Sequence, residues 1–264
     1  MLFRDVGDDE IIGIPQPAHA WLAGQIVRAW GNEAFPSPEP REEVCLGAAL
    51  HDIGWLDWEA SPTLDPATGR PREFRTMGAH FHARHWTRGV REALAVGRYP
   101  ALLVSLHADE IERVFGHLRK PEEAEVVAVF LDAQHAFQRS MIDSLAADPR
   151  YADHVTPEAL ERNRLIVGAA DRLSLAICWG VRDEAEVLDA PRGPGADDRV
   201  TLRLRSPAGD PGRLTLDPWP FAADRVDLAC DGVRLRGRHA DEVGLRQALD
   251  DAPRATIAAT LSPA

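Results

Sequence analysis

Cysteine is scarce in this chain, with Cys45, Cys178 and Cys230 the only three among 264 residues. An odd, widely spaced set supplies neither a disulfide framework nor the closely spaced pairs of a zinc knuckle. Cys45 and Cys178 lie in apolar segments with helical spacing. We therefore interpret the thiols as buried core residues of a protein in a reducing compartment.

Long hydrophobic runs are also missing. The sequence contains no stretch of about 18 apolar residues that could span a bilayer. Residues 1–10 lack the basic start and the apolar core of a signal peptide. These absences predict a cytoplasmic protein.

Positive charge is in deficit, because 30 Lys and Arg stand against 42 Asp and Glu, for a formal net charge of −12. Such a surface repels phosphate backbones and anionic lipid headgroups. We expect no nucleic-acid or membrane partner, and a small-molecule substrate instead. A phosphorylated substrate stays possible because a metal ion and a few arginines can reverse the potential locally. Homo-oligomer formation is left open.

Apolar residues recur at helical spacing through most of the chain and at strand spacing near its end. The helical segments are 18–30, 40 to the His51-Asp52 pair, 79–96, 99–118, 121–147 and 157–180, and the alternating segments are 199–205, 213–217, 226–230 and 233–238. The first 15 residues are expected to form a short strand or an extended arm. The pattern predicts a mostly α-helical domain over 1–182 and a small antiparallel β-rich appendage over 183–264 that packs on it, α+β overall.

The pair His51-Asp52 stands out because it interrupts an apolar segment, with Val44 to Leu50 before it and Ile53-Gly54-Trp55 after it. Burial of a carboxylate costs several kcal/mol, on the order of 3–5, unless the group is paired or binds a metal. Adjacent His and Asp side chains near a helix end can both ligate a divalent cation. The alternative is a helix C-terminal pair without a metal.

Three further polar residues have apolar surroundings. His107 ends the run Leu102 to Leu106, and Asp171 shares a helical face with Val167 and Ser174. His19 lies in the first helix. For each there is a simpler interpretation: His107 as a satisfied core histidine, Asp171 as a buried carboxylate capped by Arg172 or a backbone amide, and His19 as a residue near a helix start.

The order His, His-Asp, His, His, Asp resembles the HD-domain superfamily, whose helical metalloproteins are named after adjacent His-Asp ligands. This resemblance implies an HD-like helical bundle. Carried over by position, the first metal ion would bind to His19, His51, Asp52 and Asp171. His82 and His107 would complete a dinuclear site with Asp52 as the bridge, and His51 and Asp52 would be catalytic. The ligand types suit one or two divalent ions of Fe, Mn, Zn, Ni or Co.

The chain is more closely similar to a mainly bacterial family classed as a domain of unknown function. The similar segments are 16–19, 30–32, 51–55, 102–107, 171–175 and 218–221. This resemblance covers nearly the whole chain. It implies the fold and the metal site, and it says little about the reaction.

The histidine contributed by the third helix is ambiguous, since His80, His82 and His85 cannot all lie on one face. Resemblance to the unknown-function family favours His82. The histidine-to-glycine spacing of other dinuclear HD proteins favours His85, which lies four residues before Gly89. We choose His82.

Many HD phosphohydrolases continue the pair with Ile-Gly-Lys, and the lysine helps to hold phosphate. Here Trp55 takes that position, so the phosphate contact is missing. The candidate arginines for that contact are Arg72, Arg75, Arg84, Arg88 and Arg172.

The leading hypothesis is an enzyme: an HD-type metal-dependent phosphohydrolase of a small phosphorylated metabolite or nucleotide. Two metal ions can activate water for in-line attack on phosphorus. The first alternative is an HD-fold di-iron oxygenase, which the tryptophans and the missing lysine make credible. The second is a non-catalytic HD sensor, although all six ligand positions are intact.

Overall fold

A row of helices lies against one large sheet. The computed structural model describes residues 1–195 and 197–264. The helices are α1 (Gln16–Ala29), α2 (Arg41–Leu50), α3 (Leu56–Glu59), α4 (Ala79–Val96), α5 (Arg98–Phe115), α6 (Ala124–Ala146), α7 (Pro157–Trp179) and α8 (Glu242–Asp250). The strands are β1 (Leu2–Gly7), β2 (Glu10–Ile14), β3 (Leu64–Asp65), β4 (Arg70–Pro71), β5 (Glu184–Pro191), β6 (Arg199–Arg205), β7 (Arg213–Asp217), β8 (Val226–Arg236) and β9 (Arg254–Pro263).

Local sequence explains the bounds of the longest buried helix, α7. The Thr156 hydroxyl accepts a hydrogen bond from the Ala159 amide, and Pro157 occupies the first helical position. The helix ends at Gly180, whose φ of 83° lies in the left-handed region that glycine adopts readily. The predicted start of this helix is confirmed.

The expected fold class is wrong. In place of a helical bundle with a small β appendage, the chain forms a seven-stranded mixed sheet that curls into a half-barrel, with the strand order β1-β2-β8-β9-β7-β6-β5. All neighbours are antiparallel except β7 and β9, which are parallel. The fold is α+β, and the large sheet contributes to the core together with the helices.

The sheet is larger than expected because residues from the N-terminus join it. Strand β2 pairs with β8, and Ile12 lies opposite Arg234. In addition, β8 is one continuous strand and does not turn at Asp231-Gly232. A Cβ atom at position 232 would lie 2.8 Å from the Gly13 carbonyl oxygen, so this glycine permits close approach of β2.

Helices and sheet share one hydrophobic core. It includes Ile26, Leu102 and Ile166 from the helices and Leu204 and Ile257 from the sheet. The cysteines are buried free thiols, as predicted. In the part of the chain that the structure describes, none of the helices combines the length and the apolarity needed to cross a membrane.

Glycines allow α1, α2 and α5 to pack closely. A Cβ atom at Gly24 of α1 would lie 2.7 Å from the Cβ of Ala49 in α2, and one at Gly47 would lie 2.8 Å from a methyl group of Leu103 in α5. Real side chains do not approach this closely, so the helix separations depend on the missing methyl groups. Helices α1 and α5 carry two of the residues described below, and two more directly follow α2.

We predict that Gly24→Ala lowers the free energy of unfolding by about 1–3 kcal/mol, the usual cost of an overpacked core. The matched control is Gly116→Ala, where the nearest atom to the new methyl group would be 3.7 Å away. Urea unfolding of both variants checks this. Equal stabilities would show that the α1–α2 contact tolerates the methyl group.

Candidate metal centre

Five polar side chains from four helices meet in the interior. His19 comes from α1, His51 and Asp52 follow α2, His107 lies on α5 and Asp171 on α7. Their exposed fractions range from 1% for His19 to 8% for Asp52. Five of the six predicted site residues are thus brought together in a nearly dry environment.

The distances within the cluster are short. Nε2 of His19 lies 2.9 Å from Oδ2 of Asp52. Nε2 of His51 lies 3.4 Å from Oδ1 of Asp171, and Nε2 of His107 lies 3.7 Å from its Oδ2. One nitrogen each of His19 and His51 and one oxygen of Asp171 lie within 4.8 Å of one another, which is compatible with binding a single ion.

The backbone fixes which nitrogen of His51 faces the cluster. Nδ1 donates to the Ala48 carbonyl at 2.8 Å. Nε2 is buried and has no hydrogen-bond partner, because its contact with Asp171 lacks hydrogen-bond alignment. Buried polar atoms are almost always satisfied, and metal-binding histidines usually donate their other N–H to a carbonyl. The arrangement therefore fits a metal ligand.

His19 is oriented by Ser174, a residue whose role sequence reasoning missed. The Ser174 hydroxyl donates to the Asp171 carbonyl at 2.8 Å, so its oxygen accepts from Nδ1 of His19 at 2.9 Å. Nε2 then meets Asp52 either as an imidazolium N–H or as a lone pair that shares a cation with the carboxylate. The available signal was the position of Ser174 on the same helical face as Asp171.

Charges within the cluster shift the ionisation of its members. Burial alone would lower the pKa of His51, but the carboxylates of Asp52 and Asp171 and the Ala48 carbonyl outweigh it and raise the pKa to about 9. Burial raises the pKa of both carboxyls, and the neighbouring histidines reverse this and lower it. Burial lowers the pKa of His107 to about 4. Positive charge, from a proton or a metal, is therefore strongly favoured beside the carboxylates.

The sixth predicted residue, His82, lies apart from the five. Among the described residues, no ion pair or ring contact joins it to them. Its Nε2 donates to the Phe74 carbonyl at 3.1 Å, and its Nδ1 is buried without a partner. Burial lowers the pKa of His82 to about 4, although the charge of Asp52 opposes this.

The other histidines of α4 differ in their surroundings. His80 is exposed. His85 is 5% exposed, donates from Nδ1 to the Phe81 carbonyl at 2.7 Å and stacks on the Phe81 ring, with centroids 3.9 Å apart. Its ring centroid lies 5.0 Å from that of Trp55. Burial lowers the pKa of His85, and the charge of Asp52 again acts in the opposite direction.

Two glycines bring α4 against the turn that follows Asp52. A Cβ atom at Gly54 would overlap the carbonyl oxygen of His85 and lie 2.7 Å from the amide nitrogen of Gly89. Position 54 must therefore lack a side chain, and a Cβ atom at Gly89 would lie a tight 3.1 Å from the Gly54 amide nitrogen. This contact explains why a glycine follows the His-Asp pair at position 54.

Of the candidate arginines, Arg172 donates to the Leu188 carbonyl, and Arg75 contacts Glu73 and the ring of Trp179. Arg84 and Arg88 line a cavity next to His85.

Without a metal ion, the cluster predicts that the stability of the fold depends on pH. Because the folded-state pKa of His51 is raised from 6.5 to about 9, its protonated form stabilises the fold fully below pH 6.5, and this contribution is lost as the pH rises through 9. For chelator-treated protein, we expect stability to fall between pH 7 and 9.5 by up to about 1.4 kcal/mol per pH unit.

The measurement is denaturant unfolding across this range, with His51→Gln and, as a control, His117→Gln at an exposed position. His51→Gln should flatten the slope and His117→Gln should not. Parallel curves for all three proteins would contradict the assignment of a protonated His51.

Comparison with known proteins adds one finding. The model of the family described as "Protein of unknown function (DUF3891)" matches residues 1–237, from β1 to the end of β8. No curated protein and no solved structure gives a significant match. Since the match includes all five clustered residues and most of the sheet, the chain belongs to the DUF3891 family.

Proposed function

We propose that the chain is an HD-type, metal-dependent phosphohydrolase that acts on a small phosphorylated metabolite or nucleotide. The observation that carries the proposal is the buried Nε2 of His51, which has no hydrogen-bond partner and faces Asp171 in a cluster of three histidines and two carboxylates. Such a set of charges in the interior is costly unless a cation joins it.

The donor set indicates which ions suit the site. His19, His51, Asp52 and Asp171 would hold the first ion, and His107 and His82, with Asp52 as the bridge, a second. Imidazole and carboxylate without thiolate suit divalent Fe, Mn, Zn, Ni or Co. When bound, such an ion supplies a Lewis acid and an activated water molecule.

The protein itself would orient and enclose these groups. The Ala48 carbonyl holds His51, and the Ser174 hydroxyl holds His19, so both rings keep a fixed direction. Asp52 contacts His19 and lies 3.7 Å from Nε2 of His51, so it would bind an ion together with both rings. Trp55, only 2% exposed, packs edge-on against His82.

We expect protein loaded with Mn, Co or Ni to release phosphate from a member of a panel of nucleotides and phosphoesters. Asp52→Asn should lower both metal content and rate at least about 100-fold, because even indirect contacts to a metal contribute 10–100-fold. Elemental analysis and a phosphate-release assay measure the two effects.

The matched control is Asp132→Asn, at an exposed position on α6. It should leave both quantities unchanged. A wild-type protein that binds no metal, or hydrolysis that persists in Asp52→Asn, would refute the proposal.

A di-iron oxygenase is the second candidate, favoured by the aromatic environment of α4. The Trp55 ring lies 5.6 Å from His82 and 5.0 Å from His85, and Trp86 lies 5.3 Å from His82. A low-polarity wall suits an oxidation that must exclude water. Bound iron with substrate-dependent oxygen uptake and no phosphate release would select this function. Ligand binding without any turnover would instead indicate a sensor.

A further inference from the structure

A cavity of about 400 Å³ opens between α4 and the segment around α3. The residues that line it are Asp57, Trp58, Ser61, Arg84, His85 and Arg88. One of these residues, His85, packs against Trp55 in the turn that follows Asp52. Its volume is at the small end of the range for ligand sites, about 300–1,000 Å³.

The charge of this region is opposite to that of the whole chain. Helix α4 contains Arg84, Arg88 and Arg91 but only one acidic residue, Glu92, whereas the formal net charge of the protein is −12. An anionic ligand is repelled by most of the surface and attracted here. The local excess of arginine therefore points to a ligand with negative charge.

The two arginines of the cavity are not equivalent. Arg88 forms ion pairs with Asp57 and Glu92, which neutralise and hold it. Arg84 is exposed, and its guanidinium lies 5.6 Å from the ring of Phe81. No carboxylate of the described chain pairs with Arg84. It is thus the cation of the cavity that can bind an incoming anion.

One large aromatic side chain, that of Trp58, lines the same cavity. Trp58 is 7% exposed and lies edge-on to Trp55, with ring centroids 5.9 Å apart. Flat organic groups bind well against such rings.

From this combination we infer that the cavity is the substrate site, and that the substrate is a small phosphate monoester with a flat organic group. Arg84 binds the phosphate group, and Trp58 contacts the organic group. Guanidinium is suited to phosphate because of its planar set of donors. Arg84 thereby replaces the lysine that Trp55 displaces in the HD motif. This inference rests on the proposed function.

The test measures binding of inorganic phosphate and of phenylphosphonate to the metal-loaded protein by calorimetry. Arg84→Gln should weaken both ligands about tenfold or more, because a hydrogen bond to a charged group contributes about 1.5–3 kcal/mol. Trp58→Leu should weaken phenylphosphonate about 2- to 10-fold and leave inorganic phosphate unchanged.

The matched control is Arg91→Gln, an exposed arginine of the same helix that does not line the cavity. It should bind both ligands like the wild type. Metal content and melting temperature are measured for every variant. If Trp58→Leu does not fold, the comparison of Arg84→Gln with Arg91→Gln decides the outcome.

Equal phosphate affinity in Arg84→Gln and wild type would overturn the inference, as would tighter Arg84-dependent binding of benzoate than of phenylphosphonate. Failure of the proposed phosphohydrolase function and failure of the proposed substrate site would give different results. Arg84-dependent phosphate binding without hydrolysis would leave this site standing and remove the hydrolase. Hydrolysis that needs Asp52 but is indifferent to Arg84 and Trp58 would do the reverse.

Discussion

Burial of two carboxylates among three histidines is the constraint on which this structure depends. Asp52 and Asp171 lie in an interior where an uncompensated charge would cost more than most single interactions can supply. Within the protein, the compensation comes from His51, whose pKa is raised to about 9 beside Asp171, and from the contact of His19 with Asp52. An apolar cluster of the same volume would stabilise the fold as well or better. The presence of these charges therefore points to function.

Helix packing around the cluster follows from this constraint. The side chains can meet only if α1, α2, α5 and α7 approach closely, and glycine at positions 24 and 47 removes the methyl groups that would hold the helices apart. Gly54 and Gly89 do the same for α4 and the turn after Asp52. The sheet then covers the opposite side of the helices and completes the shared core, with Leu204 and Ile257 among its contributions.

Features that depend on residues close together in the sequence could be predicted, whereas contacts between residues far apart in the sequence could not. Asp171 and His107 were identifiable because a polar residue on an apolar helical face is a local signal. The participation of β2 in the sheet was not, because its partner β8 lies more than 200 positions away and no local pattern reports such pairing. Asp231-Gly232 has the composition of a turn, yet Gly232 lies within β8 and allows β2 to pack closely against it. The partnership of Ser174 with His19 likewise needed the packing of α1 on α7.

The histidines of α4 differ in which ring nitrogen donates to a backbone carbonyl. The hydrogen bond made by one nitrogen leaves only the other nitrogen free to bind an ion. His82 gives Nε2 to the Phe74 carbonyl, so only Nδ1 remains to meet an ion, and that atom is buried without a partner. His85 gives Nδ1 to the Phe81 carbonyl and lines the cavity that contains Arg84. The charge of Asp52 acts on both. Within one turn of α4, His82 thus has Nδ1 free, and His85 has Nε2 free. His82 keeps a buried nitrogen without a partner, whereas His85 lines the cavity.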